Sequence, residues 1–104
     1  MIRIVYREQA GQLCGFRISG HAGAGTAGND IVCAAVSSAA YMTANTITDI
    51  LCQPAAITVE EGLMELTVTG DIARCQDILS GFRLHMQAMQ DQYPQRVQLT
   101  NTEV

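Results

Sequence analysis

The stretch GHAGAGTAGNDIVCAAVS, Gly20 to Ser37, decides how this chain folds. Immediately before it, Cys14, Phe16 and Ile18 alternate with other residues at the period of a strand. That strand stops at Gly20-His21. From Ala22 to Asn29 the chain is almost wholly Gly and Ala, with Gly23, Gly25 and Gly28, so few side chains are there to hold a loop in place. Asn29 or Asp30 can then cap a helix running from about Ile31 to Leu51. Beyond the cap its single charge is Asp49. A one-sided surface helix carries a polar stripe, so this one is expected to be covered on more than one side.

Working outward, Ile2, Ile4 and Tyr6 alternate with Arg3, Val5 and Arg7, and Gln9 to Gln12 supplies a turn. The first two strands thus form a hairpin. On the other side Pro54 ends the helical segment. Ile57 and Val59 lead into the turn Glu60-Glu61-Gly62, and Met64, Leu66 and Val68 alternate on the return strand. Cys75, Leu79, Phe82, Met86, Met89 and Tyr93 fall at steps of three and four, which predicts a second helix from about Ile72 to Tyr93. Pro94 halts it. Val97 and Leu99 make a short last strand, with a frayed tail from Asn101 to Val104 expected. The order is β-β-α-β-β-α-β. An α/β two-layer sandwich follows, two helices packed on one mixed sheet, in a single domain over residues 1–104.

Charge and composition narrow the function. Of the 104 residues nearly half are apolar, enough for one core, and the net charge is −4. Every cation is an arginine, scattered from Arg3 to Arg96 without a patch, which disfavours direct contact with nucleic acid. An acidic body favours a basic partner. Met1 to Arg7 lacks the apolar core of a signal peptide, and Ile31 to Ile47 is broken by Ser37, Ser38, Thr43, Asn45 and Thr46. A buried helix explains that stretch better than a membrane span, and a cytoplasmic protein is expected. The four cysteines, at 14, 33, 52 and 75, are expected reduced. Neither their spacing nor that of the histidines suits a metal site, and no cofactor is expected.

The chemistry-bearing pair is His21 and Cys33. With Asp30 as cap, Cys33 falls in the first helical turn, where unsatisfied N–H groups stabilise a thiolate. His21 closes the preceding strand, and the connection between them, at most about 40 Å at full extension, lets the two meet. A neighbouring imidazole would activate the sulfur. The same N–H groups would serve an oxyanion. Ser37 lies one turn beyond Cys33 on the same face, to contact thiol or substrate or simply to back-bond within the helix. Structural roles are open to each residue: a small buried apolar group for Cys33, a strand end for His21, a cap for Asp30. Cys14, Cys52 and Cys75 fit the core, Cys75 being a distant second candidate for reactivity.

Gly-His-Ala, a glycine-rich loop, then Gly-Asn-Asp-Ile-Val-Cys-Ala-Ala-Val-Ser resembles the ribosomal-processing cysteine protease family, Prp. The element order and the Tyr93-Pro94 ending resemble it too, so the likeness spans the chain. It implies an endopeptidase that removes the N-terminal extension of a basic large-subunit ribosomal protein, cutting just after a pair of aromatic residues. It also implies a homodimer. Carried over residue by residue, His21 and Cys33 match the catalytic pair, and Gly20, Asp30 and Ser37 match the accompanying motif. Separately, the composition of Ala22 to Asn29, small residues with Gly23, Gly25 and Gly28, suits a loop that closes over bound peptide as a lid.

Two other functions compete with this one. A non-catalytic ribosome-associated binding factor would share the fold, since fold does not dictate function. A thiol redox sensor at Cys33 would need a resolving cysteine, and none lies nearby in sequence.

Overall fold

The computed structural model describes residues 1–21 and 27–104, the side chains of residues 27–30 excepted. Five strands and two helices follow in the expected order. Strand β1 is Ile2–Gln9 and β2 is Gln12–Gly20, followed by helix α1, Ala27–Asn45. Then come β3, Ala55–Glu60, β4, Leu63–Val68, helix α2, Gln76–Gln92, and β5, Val97–Glu103. The sheet order is β3-β4-β2-β1-β5. It is mixed: β1 pairs parallel with β5, and the other neighbours are antiparallel. The β1–β2 turn puts Ala10 at φ 52° and Gly11 at φ 80°, the twist that suits a two-residue hairpin.

Period-two alternation sorts the sheet into two faces. Ile2, Ile4, Tyr6, Phe16, Met64, Leu66 and Val68 point to the helices, and Val32, Val36, Ala40, Leu79, Phe82 and Met86 meet them in one core. The Phe16 and Phe82 rings stack with centroids 4.5 Å apart. On the opposite face Arg7 binds Glu65 at 2.9 Å and Thr67 at 2.9 Å, joining β1 to β4 across β2.

Four expectations need correction. Helix α1 begins at Ala27, not near Ile31, so Asp30 lies inside its first turn rather than at its cap. A cap preference is worth only about 1 kcal/mol, which the fold can override, but Gly28, Asn29 and Asp30 are weak helix formers, so local propensity does not account for the early start. At its other end α1 passes at Thr46–Ile50 into a π-helical turn closed by Leu51 N–H donating to the Thr46 carbonyl at 2.8 Å. The tail does not fray: β5 runs to Glu103, and Val104 N–H donates to the Glu8 carbonyl at 2.8 Å, because β1 extends far enough to pair it.

The cysteines divide differently as well. A register shift between Arg7 and Glu8 makes Cys14 an extra residue in β2, and hands the core position to Leu13. Cys14 is still buried, though outside the main cluster. The side-chain amide of Gln76 binds the Leu13 backbone at both ends, accepting at 2.9 Å and donating at 2.7 Å, and so satisfies the irregular strand. Cys52 is exposed, at φ 54°, after the helix has ended.

Finally, α1 is covered on one side only. Residues Ile31–Ile50 have the length and mean hydropathy, 1.2, of a membrane span. Yet Val32, Val36, Ala40, Ala44 and Ile47 pack into the core, while Ile31, Tyr41, Met42 and Ile50 stand exposed. The helix is apolar on a face that the domain itself does not use.

Candidate active site

Gly20 ends β2 at φ 87°, a conformation that lets the chain turn sharply away from the sheet. A Cβ there would come within 2.3 Å of the Met1 carbonyl oxygen, so no other residue fits. Its N–H donates to the Gly62 carbonyl at 3.0 Å, fastening the strand end to the β3–β4 turn. The Met1 ammonium donates to the His21 carbonyl. His21 is thus held at its own carbonyl and follows a glycine tied to the turn, while its imidazole lies over Gly62, exposed to solvent.

The imidazole borders a cleft of about 200 Å³ between sheet and helix α1. Ile2, Ile18 and Met64 from the sheet form its floor. Cys33, Ser37 and Tyr41 from α1 form one wall, spaced four apart and so on one stripe of the helix. Val59, Glu60 and Gly62 form the rim at the β3–β4 turn. Cys33 is half-buried and packs against the core, and Ser37 is exposed.

His21, Cys33, Ser37 and Gly20 thus border one cleft. Gly23 and Gly25, with the proposed lid they belong to, lie outside the described residues. Gly28 and Asp30 fall in the first turn of α1, not in a loop or cap. Starting at Ala27 also moves Cys33 into the second turn of the helix. The field of a helix end fades within its first turn, so that source of thiolate stabilisation and of oxyanion donors does not operate as expected. The imidazole becomes the principal candidate to activate the sulfur.

Two of the other thiols, Cys75 and Cys14, are poor nucleophiles. Cys75 sits in a 3₁₀ turn before α2, fully buried, its Sγ 3.7 Å from the Asp71 carbonyl. Burial, then the nearby Asp71 carboxylate, pushes its thiol up from the ordinary value. Burial raises Cys14 likewise. His85 is exposed on α2 beside Ala39 and Met42, away from the cleft.

Reasoning from sequence missed Tyr41, Val59 and Gly62 as parts of the site. Tyr41 continues the Cys33–Ser37 stripe by one turn, and that spacing was available to find it. Val59 and Gly62 come from a distant hairpin, and nothing local marks them.

A thiol and an imidazole bordering one solvent-open cleft are the equipment of a cysteine hydrolase working by nucleophilic acyl transfer. The chain belongs to the cysteine protease Prp family, whose model matches residues 1–98. Among curated proteins, none matches its sequence. Solved structures share the fold. The Streptococcus mutans protein SMU.848 superposes with a TM-score of 0.86 at 24% identity, covering 100% of this chain and 96% of that one. An essential ribosomal processing protease Prp from S. aureus, in complex with a covalently linked product peptide, gives 0.87 at 23% identity, covering 98% and 100%. The same S. aureus protease with a substrate peptide gives 0.86 at 23% identity, covering 98% of this chain and 100% of that one.

Proposed function

We propose that this cysteine protease removes the N-terminal extension of a basic large-subunit ribosomal protein, with Cys33 as nucleophile and His21 as general base and acid. The observation that carries the residue assignment is the shared cleft: the two side chains of the family motif border it from β2 and from α1. The S. aureus relatives, processing proteases seen with substrate and product peptides, support the substrate class. The net charge of −4 and Glu60 at the cleft rim suit a basic partner.

In this mechanism His21 takes the Cys33 proton and the sulfur attacks the scissile carbonyl carbon, forming a tetrahedral oxyanion. Collapse breaks the C–N bond, and the His21 imidazolium donates its proton to the leaving amine. The acyl group remains on sulfur as a thioester. Water, deprotonated by His21, then attacks the thioester carbonyl, releasing the new carboxyl terminus and the thiol. Ser37 lines the same cleft one helical turn beyond Cys33, and in this reading it touches the peptide. Gly20 acts through His21, by fixing the strand end from which it projects.

The protein is further proposed to act in the cytoplasm as a homodimer. Exposed Ile31 and Met42 on α1, with Ile50 in the π-helical turn that follows it, give such a dimer an apolar surface to cover. Sedimentation at micromolar concentration tests it, a monomer being the contrary result.

The decisive experiment incubates the protein with the large-subunit ribosomal proteins of its own organism and measures intact masses. One of them should lose an N-terminal segment, and Cys33→Ala should leave it whole. If no protein is trimmed while one is bound, the chain is a binding factor instead.

A further inference from the structure

β3 is an edge strand, with β4 on one side and no other described strand on the other. The direction of its free backbone groups can be read from one hydrogen bond. Thr69 N–H donates to the Pro54 carbonyl at 2.9 Å, which makes that position of the antiparallel ladder a bonded one. Bonded and non-bonded pairs alternate. The pairs Ile57 with Leu66 and Val59 with Met64 are therefore non-bonded, and the N–H and C=O of Ile57 and Val59 point away from β4 into the open.

Side chains at these positions face the helix side of the sheet, since their partners Leu66 and Met64 are buried there. Helix α1 does not cover them: Ile57 is 42% and Val59 51% exposed. Val59 also borders the cleft that His21 and Cys33 share. An apolar shelf with free main-chain donors and acceptors thus runs into the candidate active site.

Exposed edges invite pairing, and proteins usually protect them with lysine, proline or an inward charge. Ala55–Glu60 carries none of these; its one charge is Glu60, at the cleft end. We propose that the peptide substrate adds to β3 as a sixth strand, its main chain pairing with Ile57 and Val59 and its alternate side chains turned towards the cleft. Strand addition holds a peptide extended by main-chain bonds, and takes specificity from every second side chain. It would deliver the next peptide bond past Glu60 to Cys33. This inference rests on the protease reading and deepens it.

The test uses wild-type protein and synthetic peptides of the N-terminal extension of the organism's own ribosomal protein. Each residue on both flanks of the cut is N-methylated in turn, which deletes one main-chain donor per peptide. On one flank, kcat/KM should fall about tenfold or more at two alternate positions and little at the residue between them. A flat profile, or equal losses at every position, overturns strand addition while leaving the protease reading intact. It is also the result expected if a second copy of this chain occupies β3. If the unmodified peptide is not cut, the protease reading itself fails. Ile57→Pro removes one outward donor and no β3–β4 bond, and an edge strand tolerates it. It should lower kcat/KM about tenfold by deleting the bond from the Ile57 N–H to a peptide carbonyl, while the N-methylation penalties, which report bonds to the Ile57 and Val59 carbonyls, remain. An unchanged kcat/KM in the folded variant places the pairing elsewhere and sinks the proposal.

Discussion

The His21 imidazole packs against the bare Cα of Gly62: a Cβ at that position would stand 3.1 Å from Nε2. The glycine also adopts φ 71°, in the left-handed region that closes the β3–β4 hairpin. Gly62→Ala therefore has two effects. The strained backbone costs about 1 kcal/mol of stability, seen as a melting temperature lower by several degrees. The new methyl displaces the imidazole, and a misplaced base of this kind lowers kcat/KM about ten- to a hundredfold. A variant that melts lower yet cuts peptide at the wild-type rate would show that the ring's seat does not matter.

His21→Ala is expected to lower kcat by about two to four orders of magnitude, the usual worth of a general base. Its melting temperature should stay near wild type, because the side chain is exposed. Single-turnover cleavage at saturating peptide separates this loss from weaker binding. Turnover within tenfold of wild type would remove His21 from the chemistry.

Alkylation of native protein by iodoacetamide should label Cys33 and Cys52 and spare Cys14 and Cys75. The latter pair are 2% and 0% exposed, and burial pushes both thiols up. Peptide mass mapping at short times reads the order. Cys33 should react first, and the fast phase should vanish in Cys33→Ala. Early labelling at Cys75 would transfer the role to the turn before α2.

Tyr6 links stability to alkaline pH. Burial raises its phenol from 10.0 to about 12, against an opposing pull from Arg83. Folded Tyr6 stays protonated after the unfolded chain has begun to ionise. Its contribution is thus fully present below pH 10 and is lost as pH rises towards about 12. Urea midpoints across this window should fall less steeply in Tyr6→Phe than in wild type. Parallel slopes would mean that Tyr6 ionises freely in the fold.

How much was legible beforehand differs from element to element. Strands with one buried face announced themselves, since a side chain in β1 or β4 must alternate to meet a core on one side only. The α2 stripe was equally plain, its apolar residues at 79, 82, 86 and 89 all buried. The start of α1 was not. Gly28, Asn29 and Asp30 favour a cap over a helix interior, so local sequence points to a later start and nothing in it marks the earlier one. The Asn101–Glu103 segment was misjudged for a similar reason: its residues are polar and exposed, and only the length of β1 beside it makes it a strand.

By itself the sequence determined the element order and the faces of strands and helices, and it singled out His21 and Cys33 as the candidate pair. Those follow from periodicity and from residue types, which are properties of the chain taken a few residues at a time. Only the tertiary structure decided what surrounds the pair. It brought the Gly62 turn under the imidazole, set Tyr41 and Val59 on opposite sides of the cleft, and left β3 at the sheet's edge with its backbone open. These neighbours lie far apart along the chain, and their meeting depends on which strand pairs with which. That choice is made by the burial of the whole core, so no local stretch contains it.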